Sequence, residues 1–67
     1  MSKQSDAFEF ACYDAIHKLG EPSKVSSVAR HLNMPREEAK IRKVLNRLCR
    51  LKALSKVKVD GVWRYFI

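Results

Sequence analysis

The chain has 67 residues, of which 46% are hydrophobic and 31% are charged, and its formal net charge is +7. This length allows one small domain, residues 1–67, and excludes a second; the lack of an apolar run of about 18 residues argues against a membrane-spanning helix. The first ten residues, MSKQSDAFEF, lack the layout of a secretory signal. We therefore expect an intracellular protein (cytoplasm, nucleoid or nucleus) that is not secreted.

The positive charge lies entirely in the second half of the chain. Residues 1–35 hold four basic and four acidic residues, which cancel. Residues 36–67 hold ten Lys or Arg against three acidic residues and carry the whole +7. This asymmetry is typical of proteins that bind nucleic acid, and it also suits an acidic protein or an anionic membrane surface.

The first predicted helix follows a short N-terminus, residues 1–5, that we expect to be flexible. Asp6 suits its N-cap, and Glu9 can complete a capping box. The helix carries an apolar stripe at helical spacing, formed by Phe8, Ala11, Cys12, Ala15, Ile16 and Leu19. Gly20 then suits a left-handed C-cap, and Pro22 prevents further helix.

A short second helix is predicted after an extended connector at residues 23–26. Ser26 or Ser27 can cap it. Its inward residues are predicted to be Val28, Ala29 and Leu32. Asn33 tolerates the left-handed conformation and ends this helix, while Pro35 suits the first turn of a third one.

The third predicted helix runs to about Lys52 and is amphipathic. Its apolar row consists of Ile41, Val44, Leu45 and Leu48. The opposite face contains no acidic residue and consists of Arg36, Ala39, Lys40, Lys43, Asn46, Arg47 and Arg50. Arg42 lies on the flank of that face. A long positive face of this kind predicts a docking surface for an anionic partner.

A C-terminal hairpin is predicted from alternating residues on both sides of Asp60-Gly61. This pair favours a type I′ turn, in which both central residues need positive φ. A two-residue turn pairs Val59 with Val62. Both faces of the hairpin contain apolar residues, so the pattern does not decide which face packs on the helices.

Catalytic and metal-binding patterns are absent from the sequence. Cys12 and Cys49 lie in predicted helices, where they are either two buried thiols or one disulfide between the helices. The two cysteines and His17 and His31 lack the spacing of a zinc site, and neither histidine has a neighbouring acid and nucleophile. We expect no enzymatic activity, no metal and no cofactor.

The order of helix, extended segment, helix, turn, basic helix and hairpin resembles the winged helix-turn-helix domain over nearly the whole chain. The α+β fold that this implies has three helices and a C-terminal hairpin, the wing. In that family the third helix is the recognition helix, so the resemblance implies binding of double-stranded DNA by a small transcriptional regulator. Because a single recognition helix discriminates little between sequences, a homodimer on paired half-sites is a further hypothesis. The implied contact residues are Arg36, Lys40, Arg42, Lys43, Asn46, Arg47, Arg50, Lys56, Lys58, Trp63 and Arg64.

Two alternatives remain open at this point. The chain also resembles Zα domains, which bind left-handed Z-DNA and Z-RNA, at Leu19-Gly20, Arg30 to Pro35, the Ile41/Val44/Leu45/Leu48 row and Trp63 followed by a basic residue. It departs from them at Arg42 and Asn46, where Zα domains have Asn and Tyr, and before Trp63, where they have two Pro. The other alternative is a protein-interaction winged helix that docks on an acidic partner.

Overall fold

The computed structural model describes the backbone of residues 3–67 and the side chains of residues 7–67. Its elements, in chain order, are α1 (Lys3–Leu19), α2 (Val25–His31), a 3-10 turn (Pro35–Glu37), α3 (Glu38–Arg50), β1 (Ser55–Val59) and β2 (Val62–Phe66). This order confirms the predicted α+β class and the topology of a winged helix-turn-helix. The expected flexible segment, residues 1–5, falls partly outside the described residues and stays a prediction.

The core contains residues from all three helices and from the hairpin. The buried apolar residues are Cys12, Ala15, Ile16, Val28, Ala29, Ile41, Leu45, Leu48, Leu54 and Tyr65. Each fully buried Ile or Leu stabilises the fold by about 1.5–3 kcal/mol, so Ile41 and Leu45 fix which side of α3 turns inward. Cys12 and Cys49 are both free thiols, and burial raises the pKa of Cys12 to about 11.

Residues in the left-handed conformation end all three helices. Gly20 follows α1 with φ +68° and Asn33 follows α2 with φ +58°, as predicted. The amide of Met34 donates to the Ala29 carbonyl at 2.8 Å, which closes a Schellman motif after α2. After α3 the same position is held by Lys52, with φ +64°, although the Cβ of a lysine disfavours this conformation.

The predicted N-caps of the first two helices are wrong. Asp6 lies inside α1, because the preceding residues contain no helix breaker and the helix extends through them. Ser26 and Ser27 lie inside α2. Ser23 exchanges two backbone hydrogen bonds of 2.9 Å with Tyr65. This pairing keeps the chain extended at Ser23, and α2 begins as soon as the chain leaves the sheet.

The hairpin has the predicted register, with Val59 opposite Val62. Asp60 and Gly61 have φ values of +53° and +79°, as a type I′ turn requires. The face that includes Leu54 and Tyr65 packs on the helices, because both residues are buried. The opposite face leaves the valines of both strands exposed to solvent.

Candidate nucleic-acid interface

The basic residues of α3 and of the turn before it lie on the side opposite the core. All six of these cations are exposed: Arg36, Lys40, Arg42, Lys43, Arg47 and Arg50. Since Ile41, Leu45 and Leu48 point inward, a helical period of about 100° per residue divides the outer side into three parts. We call Lys40 and Arg47 the α1 flank, Arg42 and Asn46 the wing flank, and Arg36, Lys43 and Arg50 the crest.

The α1 flank is held by contacts with the first helix. The ammonium of Lys40 lies 4.7 Å from the centroid of the Phe8 ring. The Arg47 guanidinium lies 3.7 Å from the Glu9 carboxylate. Exposed cation–π contacts are worth about 0.5–1 kcal/mol, and exposed ion pairs are worth about 0–1 kcal/mol. These contacts restrain both cations weakly and partly neutralise Arg47.

The crest is free of such partners within the part of the chain that the structure describes. Lys43 and Arg50 are exposed, and neither forms an ion pair or a cation–π contact with a described side chain. Their charges therefore point directly into solvent. A rigid helix that presents free cations along its outer ridge can place them against a row of phosphates.

Asn46 joins α3 to the wing. The Tyr65 hydroxyl donates a 2.7 Å hydrogen bond to Asn46 Oδ1, and the Lys56 ammonium donates a longer one of 3.5 Å to the same atom. Burial raises the pKa of Tyr65, so its phenol keeps the proton that it donates. Because Oδ1 already accepts two contacts, the Asn46 side chain has only its amide nitrogen left for a ligand.

The wing presents Lys56, Lys58 and Trp63 on one face. The ammonium groups of Lys56 and Lys58 lie 4.7 Å and 5.8 Å from the Trp63 ring centroid, and the Trp63 side chain is 45% exposed. The structure separates Arg64 from this group. Arg64 lies on the opposite face of the hairpin and donates to the Pro22 carbonyl at 3.4 Å.

A cleft of about 360 Å³, which we call the wing cleft, lies between α2, α3 and the hairpin. Its lining residues are Lys24, Val25, Ser26, Glu38, Arg42, Asn46, Lys56, Gly61, Val62, Trp63 and Tyr65. Three cations and one carboxylate therefore share this concave surface. Of the predicted contact residues, the cleft brings together Arg42, Asn46, Lys56 and Trp63.

Sequence reasoning missed Lys24 and Glu38 as residues of this cleft. Lys24 enters it because the Ser23–Tyr65 pairing brings the start of α2 beside the hairpin, and no local pattern encodes that contact. Glu38 had a readable signal: it precedes Arg42 by four residues, so the two share one side of a helix.

Among residues 7–67, no group of three or more His, Cys, Asp and Glu side chains is arranged to hold a metal ion. None of the helices in the described part of the chain combines the length and the apolarity that crossing a bilayer requires.

Comparison of the chain with protein-family models, with curated proteins and with solved structures gave no significant match in any of the three.

Proposed function

We propose that this chain binds double-stranded DNA through α3 and the wing. The observation that carries the proposal is the set of exposed cations on the crest, the wing flank and β1, of which Arg42 and Lys56 line the same cleft. A helix fits the major groove of B-DNA, and the fold allows α3 to enter it while the wing lies along the adjacent backbone. The likeness to winged helix-turn-helix domains supports the same arrangement.

The proposed contacts divide into two kinds. The exposed lysines and arginines of the crest contact phosphates, which gives affinity that falls steeply with salt and carries no sequence preference. Residues in the first half of α3 that line the wing cleft face base edges, which gives the sequence preference. We further propose that the chain is a small regulator of transcription, as its likeness to winged helix-turn-helix domains implies.

Binding to random duplex DNA at about 0.1–0.2 M salt tests the proposal, since non-specific dissociation constants are about 10⁻⁴–10⁻⁶ M under such conditions. Lys43→Ala and Arg50→Ala should each weaken binding to all duplexes and reduce the salt slope by about 1. Lys18→Ala is the matched control, because Lys18 lies on α1 and pairs with Asp14 at 3.2 Å. Absence of duplex binding by the unaltered chain would reject the proposal and favour docking on an acidic protein.

A left-handed duplex is a second candidate ligand. The observation that favours it is the position of Trp63, which lies half exposed in the wing cleft together with Arg42 and Asn46. Of these positions, Trp63, which is followed by a basic residue, resembles Zα domains, whereas Arg42 and Asn46 stand where those domains have Asn and Tyr. Circular dichroism of an alternating d(CG) duplex tests this candidate. A protein that binds the left-handed form should convert the right-handed spectrum of the duplex to the left-handed one, and an unchanged spectrum would reject the candidate.

A further inference from the structure

The one acidic residue of the wing cleft is Glu38, in the first turn of α3. It is half buried, and it shares the cleft with Lys24, Arg42 and Lys56. Despite these three cations, its carboxylate forms no ion pair and no side-chain hydrogen bond with any other described residue. Glu38 is therefore an unoccupied acceptor inside an otherwise basic concave surface.

Two structural roles for Glu38 are simpler, and neither accounts for its position. The first is an ion pair with Arg42 one turn later, a common helix-stabilising arrangement. Both side chains line the cleft, but they do not form an ion pair with each other. The second is the favourable effect of an acid near a helix N-terminus. Glu38 has this effect as the acidic residue in the first turn of α3, but the effect does not require a place in the cleft, because the exposed Glu37 lies as near to the helix start outside it.

A carboxylate at this place rejects some parts of DNA and accepts others. It repels phosphate oxygens, and it repels the major-groove acceptors of guanine (O6 and N7) and thymine (O4). It accepts a hydrogen bond from an exposed amino group, which only cytosine N4 and adenine N6 present in that groove. Adenine places the acceptor N7 beside its amino group, whereas cytosine has no acceptor on its major-groove edge.

We infer that Glu38 is a specificity-determining residue that accepts a hydrogen bond from the N4 amino group of cytosine in the major groove. The inference rests on the proposed function, since it assumes that α3 docks on duplex DNA. Lys24 and Lys56 contact the flanking phosphates and hold the base edge within reach of its carboxylate. Arg42, one turn further along α3, reaches the neighbouring base pair on the same side.

Selection of bound sequences from a random duplex pool tests the inference with four proteins: the unaltered chain, Glu38→Ala, Glu38→Gln and Glu37→Gln. The unaltered chain should enrich cytosine about 5- to 10-fold at one position. Glu38→Ala should abolish this preference. Glu38→Gln should shift it to adenine, because an amide donates to N7 and accepts from N6 at the same time.

Glu37→Gln is the matched control, because it removes the same charge from a neighbouring exposed residue outside the cleft. It should raise affinity for all sequences by a similar factor and keep the cytosine preference. The inference is overturned if the Glu38 variants keep the base preference of the unaltered chain, or if that chain prefers cytosine at no position. Absence of duplex binding by the unaltered chain would reject the proposed function as well. Duplex binding without the cytosine preference would reject only the role of Glu38, so the two failures are distinguishable. Thermal melting confirms folding, and the isosteric Glu38→Gln decides the question if Glu38→Ala is unstable.

Discussion

The two flanks of α3 carry basic residues at similar spacing but differ in what those residues contact. On the α1 flank, Lys40 lies over the Phe8 ring and Arg47 lies beside the Glu9 carboxylate. On the wing flank, Arg42 has no such partner among the described residues, and it lines an open cleft with Lys56. The first helix thus occupies both cations of one flank, whereas on the other side Arg42 stays available and only Lys56 is held, by the Trp63 ring and Asn46 Oδ1.

This difference shows that counting the charges on a helix face overestimates how many of them are available to a ligand. A cation that already has an aromatic or acidic neighbour must give up part of that contact when it turns to a phosphate. A cation without such a neighbour, such as Arg42, gives up only its hydration. We therefore expect nucleic acid to bind off-centre, towards the wing.

The largest expected effect comes from neutralising each flank separately. Arg42→Gln combined with Lys56→Gln should weaken duplex binding several-fold more than Lys40→Gln combined with Arg47→Gln, although each pair removes two charges. Lys40 and Lys56 both lie over aromatic rings, so the difference comes from Arg42, which has no partner among the described residues, and Arg47, which is paired with Glu9. The wing-side pair should also lower the salt slope by about 1 more than the α1-side pair, because a slope counts the phosphates that are actually contacted. Fluorescence anisotropy over a range of salt concentrations measures both quantities. Equal losses for the two pairs would show that the flanks do not differ.

The second largest effect is expected from the hydrogen bond that joins α3 to the wing. Tyr65→Phe removes the hydroxyl that donates to Asn46 Oδ1 and should lower the free energy of unfolding by about 1 kcal/mol. For a domain of this size, that loss lowers the melting temperature by about 4–8 °C. Tyr13→Phe is the control, since Tyr13 is also partly buried but lies on α1. If the melting temperature of Tyr65→Phe is no lower than that of Tyr13→Phe, the hydrogen bond to Asn46 does not stabilise the wing.

Local features of the fold were predictable because their causes are local. The Asp60-Gly61 turn fixes the hairpin register through its own backbone conformation, and Asn33 ends α2 through its tolerance of positive φ. The inward row of α3 follows from helical periodicity alone. None of these features depends on a residue distant in the chain.

The division of the candidate site into two flanks was not predictable in this way. Lys40 meets Phe8 and Arg47 meets Glu9 across more than 30 positions of sequence, and only the packing of α1 on α3 creates those contacts. Which face of the hairpin is buried could not be predicted either, because apolar residues occur on both faces. The insertion of Tyr65 beside Asn46 decides between them.

A smaller effect is expected at the end of α3, which supports both flanks equally. Lys52 has φ +64°, a conformation that glycine adopts without strain. Lys52→Gly should therefore raise the free energy of unfolding by about 0.5–1 kcal/mol relative to Lys52→Ala, which loses the same charge but keeps a Cβ. The two variants should bind duplex DNA equally. A melting temperature for Lys52→Gly at or below that of Lys52→Ala would contradict the expected strain.

The smallest effect is expected when Arg47 is released from its partner. Glu9→Gln removes the carboxylate that lies 3.7 Å from the guanidinium, at a cost in stability of about 0–1 kcal/mol, because the Arg47 side chain is largely exposed although that of Glu9 is not. The freed guanidinium should then contact a phosphate, so that duplex affinity rises about twofold and the salt slope increases by up to about 1. Asp14→Asn is the matched control, since it removes the same charge from α1 but frees only Lys18, which lies away from α3. Equal affinities for the two variants would mean that the net charge governs binding on this flank; tighter binding by Glu9→Gln alone would mean that the first helix restrains Arg47 through this one contact.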